Sequence, residues 1–95
     1  MYARVTTFQS HPDRISEINE RLDDIREKIS AISGIACAYT CWRDDGNGLA
    51  TAIYYNEAAA FVARPQVEAI WATLADVLVA PPNVEFYDNV ADLRG

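Results

Sequence analysis

The sequence predicts a single α+β domain in the order strand, helix, strand, strand, helix, strand. Residues 2–9 alternate between polar and apolar types, as a half-buried strand does. Residues 15–32 repeat isoleucine or leucine every three or four positions, which is the period of an amphipathic helix. Residues 44–48 (DDGNG) separate two further β-like runs and predict a hairpin. This order is typical of a ferredoxin-like sandwich, in which two helices cover one face of a four-stranded antiparallel sheet.

The length and composition are those of one folded domain, spanning residues 1–95. Hydrophobic residues make up 51% of the chain, which is enough for a modest core. There is no apolar run of the ~20 residues that a membrane span needs, and the opening MYARVTTFQ is typical of a strand, not of a secretory signal. The net charge of −6 disfavours binding to nucleic acid. We therefore expect a cytoplasmic protein that binds neither membrane nor nucleic acid.

The remaining elements follow from local signals. Gly34 ends the first helix, and two strands are predicted over 35–43 and 49–55. A second helical region begins at Asn56, and Pro65 is expected to break or kink it. Two prolines at 81 and 82 stop this helix before a fourth strand over 83–90.

The cysteines and the single histidine do not form a recognisable site. Cys37 and Cys41 lie four positions apart on a predicted strand, hence roughly 13 Å apart, which is too far for a disulfide. We expect two free, buried thiols. His11, beside Pro12, is interpreted as a helix cap or an exposed residue in preference to a general base. One histidine and two cysteines do not complete a zinc tetrad, so no metal site is predicted. No cofactor is predicted either.

The sheet face opposite the helices is expected to carry large apolar groups whichever register is right. The candidates are Tyr39, Trp42, Tyr54, Tyr55, Phe86 and Tyr87. An exposed apolar face of this kind needs a partner, and a second copy of the chain is the simplest one. The sequence therefore predicts a homodimer that forms through the sheet.

Two aromatic residues of the second helical region suggest a ligand pocket. A helix broken in its middle can leave a cleft over the sheet, with Phe61 and Trp71 as its apolar walls. Arg4, Thr6 and Tyr39 would then be the polar contacts of a small apolar or aromatic ligand. The alternative is that Phe61 and Trp71 simply fill the core.

Four segments carry a resemblance that covers nearly the whole chain: MYARVTTFQSHPDR, the SGI that starts the second strand, DDGNGLATAIYY and PPNVEFYDNV. With these features the chain resembles the dimeric α/β-barrel superfamily, which includes the antibiotic-biosynthesis-type monooxygenase domains. The resemblance implies two ferredoxin-like subunits that join their sheets into a barrel, each with a small-molecule cleft between sheet and helices. Members include cofactor-free oxygenases of quinols or polyketide phenols and haem-degrading enzymes.

The residues that carry activity in such proteins are poorly matched here. The haem-degrading members use an asparagine, a tryptophan and a histidine at the positions of Thr6, Phe61 and Trp71, so haem degradation is not expected. Members that act on phenols use an asparagine, a tryptophan and a tyrosine or arginine, which Arg4, Trp71 and Tyr39 match in residue type alone.

Two functions stay open at this point. The first is a small-molecule-binding dimeric barrel that acts as a cofactor-independent monooxygenase on an aromatic or apolar substrate. In it, Arg4 would stabilise the substrate anion, Trp71 and Phe61 would form the walls, and Thr6 or Tyr39 would donate a hydrogen bond. The second is a non-catalytic dimerising binding or regulatory module whose cleft is closed by Trp71.

Overall fold

The computed structural model describes the whole chain, Met1–Gly95, and its elements follow the predicted order. They are β1 (Tyr2–Gln9), a short 3-10 turn (Pro12–Arg14), α1 (Ile15–Ser30), β2 (Ile35–Trp42), β3 (Asn47–Tyr54), α2 (Glu57–Ala72) and β4 (Asn83–Tyr87). The four strands form one antiparallel sheet in the order β2-β3-β1-β4. The predicted ferredoxin-like fold is confirmed. None of the helices has the length and apolar character needed to cross a membrane.

The strand register decides which residues meet the helices. Arg4 pairs with Ala52 of β3 and with Phe86 of β4, and Thr6 lies two residues further along β1. Because side chains alternate along a strand, the even-numbered residues of β1 share one face with these partners. Phe8 of that face packs against buried residues of both helical regions. The even-numbered face of β1 is therefore the one under the helices.

The core is divided into two clusters. Six buried residues form the larger cluster: Ile32, Tyr54, Ala60, Ala63, Val67 and Ile70. Four form the smaller one: Phe8, Ile18, Val77 and Leu78. Trp71 packs against both clusters, and its ring centroid lies 5.5 Å from that of Phe8. One half-buried tryptophan thus connects the two parts of the core.

The second helix is continuous, so the expected break at Pro65 is wrong. Asn56 begins the helix by accepting a 2.8 Å hydrogen bond from the Ala59 amide. A proline removes the bond that its own amide would donate to the carbonyl four residues earlier, which belongs here to Phe61. Pro65 and Phe61 both lie on the exposed side of α2, where water can bind that carbonyl. The helix ends at Ala72, and turns carry the remaining apolar pattern into the core.

The thiols of Cys37 and Cys41 are free but exposed, which corrects the expectation that they are buried. They pair with Ile53 and Leu49, which places them on the sheet face away from the helices. Since β2 is also an edge strand, nothing in the chain covers them.

Neither His11 nor Ser10 caps the first helix: His11 makes no capping hydrogen bond, and the Ser10 hydroxyl donates instead to the Gly46 carbonyl at 3.0 Å.

The aromatic residues are shared between the two faces of the sheet. Trp42, Tyr54 and Phe86 lie in register with the even-numbered residues of β1, under the helices. Tyr39 and Tyr87 lie on the opposite face and are exposed. The open face is therefore less aromatic than the sequence suggested, although Leu49 and Ile53 add aliphatic surface to it.

Candidate functional site

A cavity of about 720 Å³ lies between the sheet and the helices. It has 26 lining residues, of which 20 are hydrophobic, and both core clusters contribute to its walls. The apolar stripe of α1 forms one wall with Ile18, Leu22, Ile25 and Ile29. The volume falls within the range of small-molecule sites, roughly 300–1,000 Å³. The space between the two clusters is therefore large enough for a ligand.

Arg4 brings a positive charge to this otherwise apolar cavity. It lines the cavity and is only 5% exposed. Its guanidinium makes no ion pair with any carboxylate of the chain, and its buried Nε has no hydrogen-bond partner. Its Cζ lies 5.7 Å from the centroid of the Phe86 ring, so a cation–π contact is its main compensation. A buried charge without an anionic partner is costly, which makes Arg4 the most unusual residue of the site.

The charge of Arg4 affects the pKa of one carboxylate, that of Glu68, but Glu68 forms its ion pair with Arg64. A hydrogen bond from Arg64 lowers the pKa of Glu68, and the charges of Arg64 and Arg4 act in the same direction. The Arg64 Nε lies 2.8 Å from the Glu68 carboxylate, on the exposed side of α2. The positive charge of Arg4 also opposes the rise in pKa that burial imposes on Tyr54. Arg4 therefore acts on its surroundings through its field, without a direct anionic contact.

The side chains that most often act as a general base are missing from the cavity lining. No aspartate, glutamate or histidine is among its lining residues. Its other polar side chains include hydroxyl groups, among them that of Thr6, which is 2% exposed and follows Arg4 on the same strand face. A second arginine, Arg26, also lines the cavity, but it is exposed and pairs with Asp23 at 2.7 Å. The site can thus hold an anion, while any proton must be removed by solvent or by the ligand itself.

Ion pairs hold the first turns of α1 against the segment that follows α2. The Asp76 carboxylate accepts 3.0 Å hydrogen bonds from both Arg14 and Arg21. The hydrogen bonds from Arg21 first, and then Arg14, hold the pKa of Asp76 well below its ordinary value. Arg21 also donates to the Thr73 carbonyl at 2.8 Å. These contacts fix the position of α1 over the cavity.

Comparison with solved structures gives many matches, whereas no model of a known family and no curated protein matches the sequence. Rv0793 from Mycobacterium tuberculosis is 20% identical, with a TM-score of 0.75 and 97% of both chains covered. NE2512, a protein of unknown function from Nitrosomonas europaea, is 20% identical with a TM-score of 0.77 over 96% of this chain and 90% of its own. An antibiotic biosynthesis monooxygenase is 14% identical with a TM-score of 0.76 over 96% of this chain and 100% of its own.

The chain has the fold of the antibiotic biosynthesis monooxygenases. The resemblance to the dimeric α/β-barrel superfamily is thereby confirmed at the level of the fold. Identities of 14–20% to these structures do not carry over an activity or a substrate.

Within this monooxygenase fold, four of the five predicted site residues line the cavity. Arg4, Thr6 and Trp71 line the cavity from β1 and α2. Tyr39 is the fourth, from β2, but it is 75% exposed and its register with Thr51 places it on the other face of the sheet. Phe61 is 76% exposed and lies outside the cavity, so its expected role as a wall is wrong.

The physical reason for the position of Phe61 is the buried stripe of α2, which runs through Ala60, Ala63, Val67 and Ile70. Phe61 directly follows Ala60, and a helix turns by about 100° per residue, so Phe61 points to solvent. Two further residues were not predicted from the sequence: Trp42, which lines the cavity, and Phe86, whose ring lies beside Arg4. The alternation of side chains along paired strands could have identified them, because both are in register with even-numbered residues of β1.

Replacement of Arg4 by methionine is expected to stabilise the ligand-free chain. Methionine keeps most of the apolar stem while it removes a buried charge that no carboxylate compensates, so we expect a gain of about 1–3 kcal/mol. Thermal unfolding followed by circular dichroism measures this as a higher Tm. The matched control is Arg43→Met in the exposed hairpin, expected to change stability by less than about 0.5 kcal/mol. A lower Tm for Arg4→Met would contradict the interpretation.

Proposed function

We propose that this chain binds a small aromatic or apolar molecule in the cavity between sheet and helices, and that Arg4 neutralises an anionic group of that molecule. The observation that carries the proposal is the state of Arg4 in an apolar cavity of about 720 Å³: the residue is only 5% exposed, and its buried Nε has no hydrogen-bond partner. A bound anion would complete the hydrogen bonding that the chain leaves unmet. The apolar lining would hold the rest of the molecule, with Trp71 at its centre.

The catalytic form of this proposal is a cofactor-independent monooxygenation. An electron-rich phenolate can give electrons directly to O₂ and form a hydroperoxide at a ring carbon. Loss of water then leaves a quinone: one oxygen atom enters the product, the other leaves as water, and the substrate supplies all four electrons. No external reductant is therefore required. Arg4 would stabilise negative charge as it develops, and the apolar walls would limit competing reactions with water.

A second candidate function is a non-catalytic binding or regulatory module. The lack of any aspartate, glutamate or histidine in the cavity favours it, because a phenol would have no side chain to take its proton. Both functions use the same cavity and the same arginine. They differ only in whether the bound molecule reacts.

We also propose that two copies of the chain associate through the open sheet face. Tyr39, Leu49 and Tyr87 are large, at least partly exposed, and lie on the face away from the helices. A second copy that covered this face would remove apolar surface from water. This arrangement agrees with the barrel that the resemblance implies.

Native mass spectrometry of the purified protein tests these proposals together. We expect a dimer that carries an additional small mass, because both the sheet face and the cavity would be occupied. Oxygen uptake on addition of the identified molecule then separates the two functions: consumption of one O₂ per turnover indicates the oxygenase, and binding without uptake indicates the module. A ligand-free protein that also binds nothing from an aromatic and aliphatic compound library would contradict the binding site, and a clean monomer would contradict the dimer.

A further inference from the structure

We infer that the group bound by Arg4 is a carboxylate, so that the site takes monocarboxylic acids with an apolar or aromatic body. This inference rests on the proposed binding function and narrows its ligand class. It follows from the charge of Arg4, from the chemistry of the cavity lining and from the shape of the guanidinium. It holds for the binding module. In the catalytic form, Arg4 would then anchor the substrate through its carboxylate and would not stabilise the charge that develops on the ring.

A phenol and a carboxylic acid, the two candidate groups, differ in acidity, and this difference favours the carboxylic acid. The tyrosine side chain, a phenol, has a pKa of about 10, and the carboxylic acids of aspartate and glutamate have a pKa of about 4. At pH 7, about one phenol in a thousand is ionised, whereas nearly every carboxylic acid is. The cavity has no aspartate, glutamate or histidine that could take the proton of a phenol. The ligand that arrives already charged is the carboxylate.

The number of positive charges argues for a singly charged group. Arg4 is the only buried cation of the cavity, since the other lining arginine, Arg26, is exposed and already paired with Asp23. A phosphate monoester carries close to two negative charges at pH 7, so one guanidinium would leave about one of these charges without a positive partner. A carboxylate matches the single charge.

The shape of the guanidinium argues in the same direction. Its planar arrangement of N–H groups matches the two oxygens of a carboxylate, and such pairs are commonly bidentate. The Arg4 side chain is only 5% exposed, and its Cζ lies over the Phe86 ring, 5.7 Å from the centroid, so neighbouring atoms limit its orientation. A guanidinium held in this way has lost part of its rotational freedom before an anion binds, and this lowers the entropic cost of binding.

Three ligands with one ring system test the inference: 2-naphthoate, 2-naphthamide and 2-naphthol, each titrated into the wild-type protein at pH 7 by isothermal calorimetry. We expect 2-naphthoate to bind at least about tenfold more tightly than either neutral compound, because only it forms charge-assisted hydrogen bonds with Arg4. Equal affinities would overturn the carboxylate inference and leave the apolar binding site standing. Tighter binding of 2-naphthol would overturn it in favour of a phenol. Absence of binding by all three would count against the proposed binding site as well.

Variants assign the preference to Arg4. Arg4→Met is expected to abolish the advantage of 2-naphthoate while 2-naphthamide binds as before, and Arg4→Lys is expected to keep only part of it, since lysine has the charge without the planar fork. Arg43→Met removes the same charge from the exposed hairpin and is expected to leave the preference unchanged. An equal loss of preference in Arg43→Met and Arg4→Met would overturn the assignment. The wild-type comparison of the three ligands decides the ligand class even if an Arg4 variant does not fold.

Discussion

Replacement of Trp71 by alanine is expected to lower stability by about 2 kcal/mol and to weaken ligand binding at the same time. A fully packed tryptophan costs ~3–5 kcal/mol when it is truncated to alanine. Trp71 is half-buried and borders the cavity, so part of its surface has no packing partner to lose. It is nevertheless the residue that packs against both core clusters. Urea denaturation gives the stability change, and calorimetry with 2-naphthoate gives the change in affinity.

The matched control is Trp42→Ala. Trp42 is also half-buried and lines the same cavity, but it packs against the smaller cluster alone. We expect Trp42→Ala to cost less stability than Trp71→Ala because it does not separate the two clusters. A loss of 3–5 kcal/mol for Trp71→Ala with unchanged binding would indicate a pure core residue and favour a closed, non-catalytic module.

Replacement of Gly46 by alanine is expected to destabilise the chain by more than about 3 kcal/mol. Gly46 has a φ of +94°, a conformation that costs an L-residue about 1–2 kcal/mol. An added Cβ would also lie 2.3 Å from the Ser10 carbonyl oxygen, which is backbone and cannot rotate away. The Ser10 amide donates to the Gly46 carbonyl at 2.9 Å, so the clash would separate the hairpin from the end of β1. Chemical denaturation measures the loss.

Two controls separate the causes of this effect. Gly95→Ala shares the positive φ, at +83°, without the close approach, because its Cβ would meet no neighbouring atom, so we expect it to cost no more than about 1–2 kcal/mol. Ser10→Ala removes only the hydroxyl hydrogen bond to Gly46 and is expected to cost about 1 kcal/mol. If Gly46→Ala were no more harmful than Ser10→Ala, the close approach of the two backbones would not be a constraint on the fold.

The elements of the fold were predictable because their signals are local. The isoleucine spacing of α1, the alternation of β1 and the glycine-rich hairpin each follow from a few neighbouring residues. The break expected at Pro65 was wrong because the effect of a proline depends on whether water can bind the carbonyl that it leaves free, and this depends on which side of the helix faces out. The positions of Cys37 and Phe61 depended likewise on strand register and helix rotation, which only the assembled sheet fixes.

The candidate site was predictable in its residues on β1 but not in its shape. Alternation alone places Arg4 and Thr6 on one face, and Trp71 follows the period of α2. The cavity exists because the apolar stripe of α1 does not close the gap between the two clusters: Leu22, Ile25 and Ile29 remain only partly buried. A hydrophobic stripe has the same pattern whether it packs tightly or faces a cavity, so the sequence could not distinguish a filled core from a pocket.

The exposed thiols of Cys37 and Cys41 have a practical consequence for the open face of the sheet. They stand on the same face of β2 on either side of Tyr39, and neither is held in a disulfide. The rate at which iodoacetamide alkylates them therefore reports how much of the time that face is uncovered. Dilution would accelerate the labelling of a chain whose sheet is shielded by reversible association, whereas the labelling rate of a permanently open sheet would not depend on protein concentration.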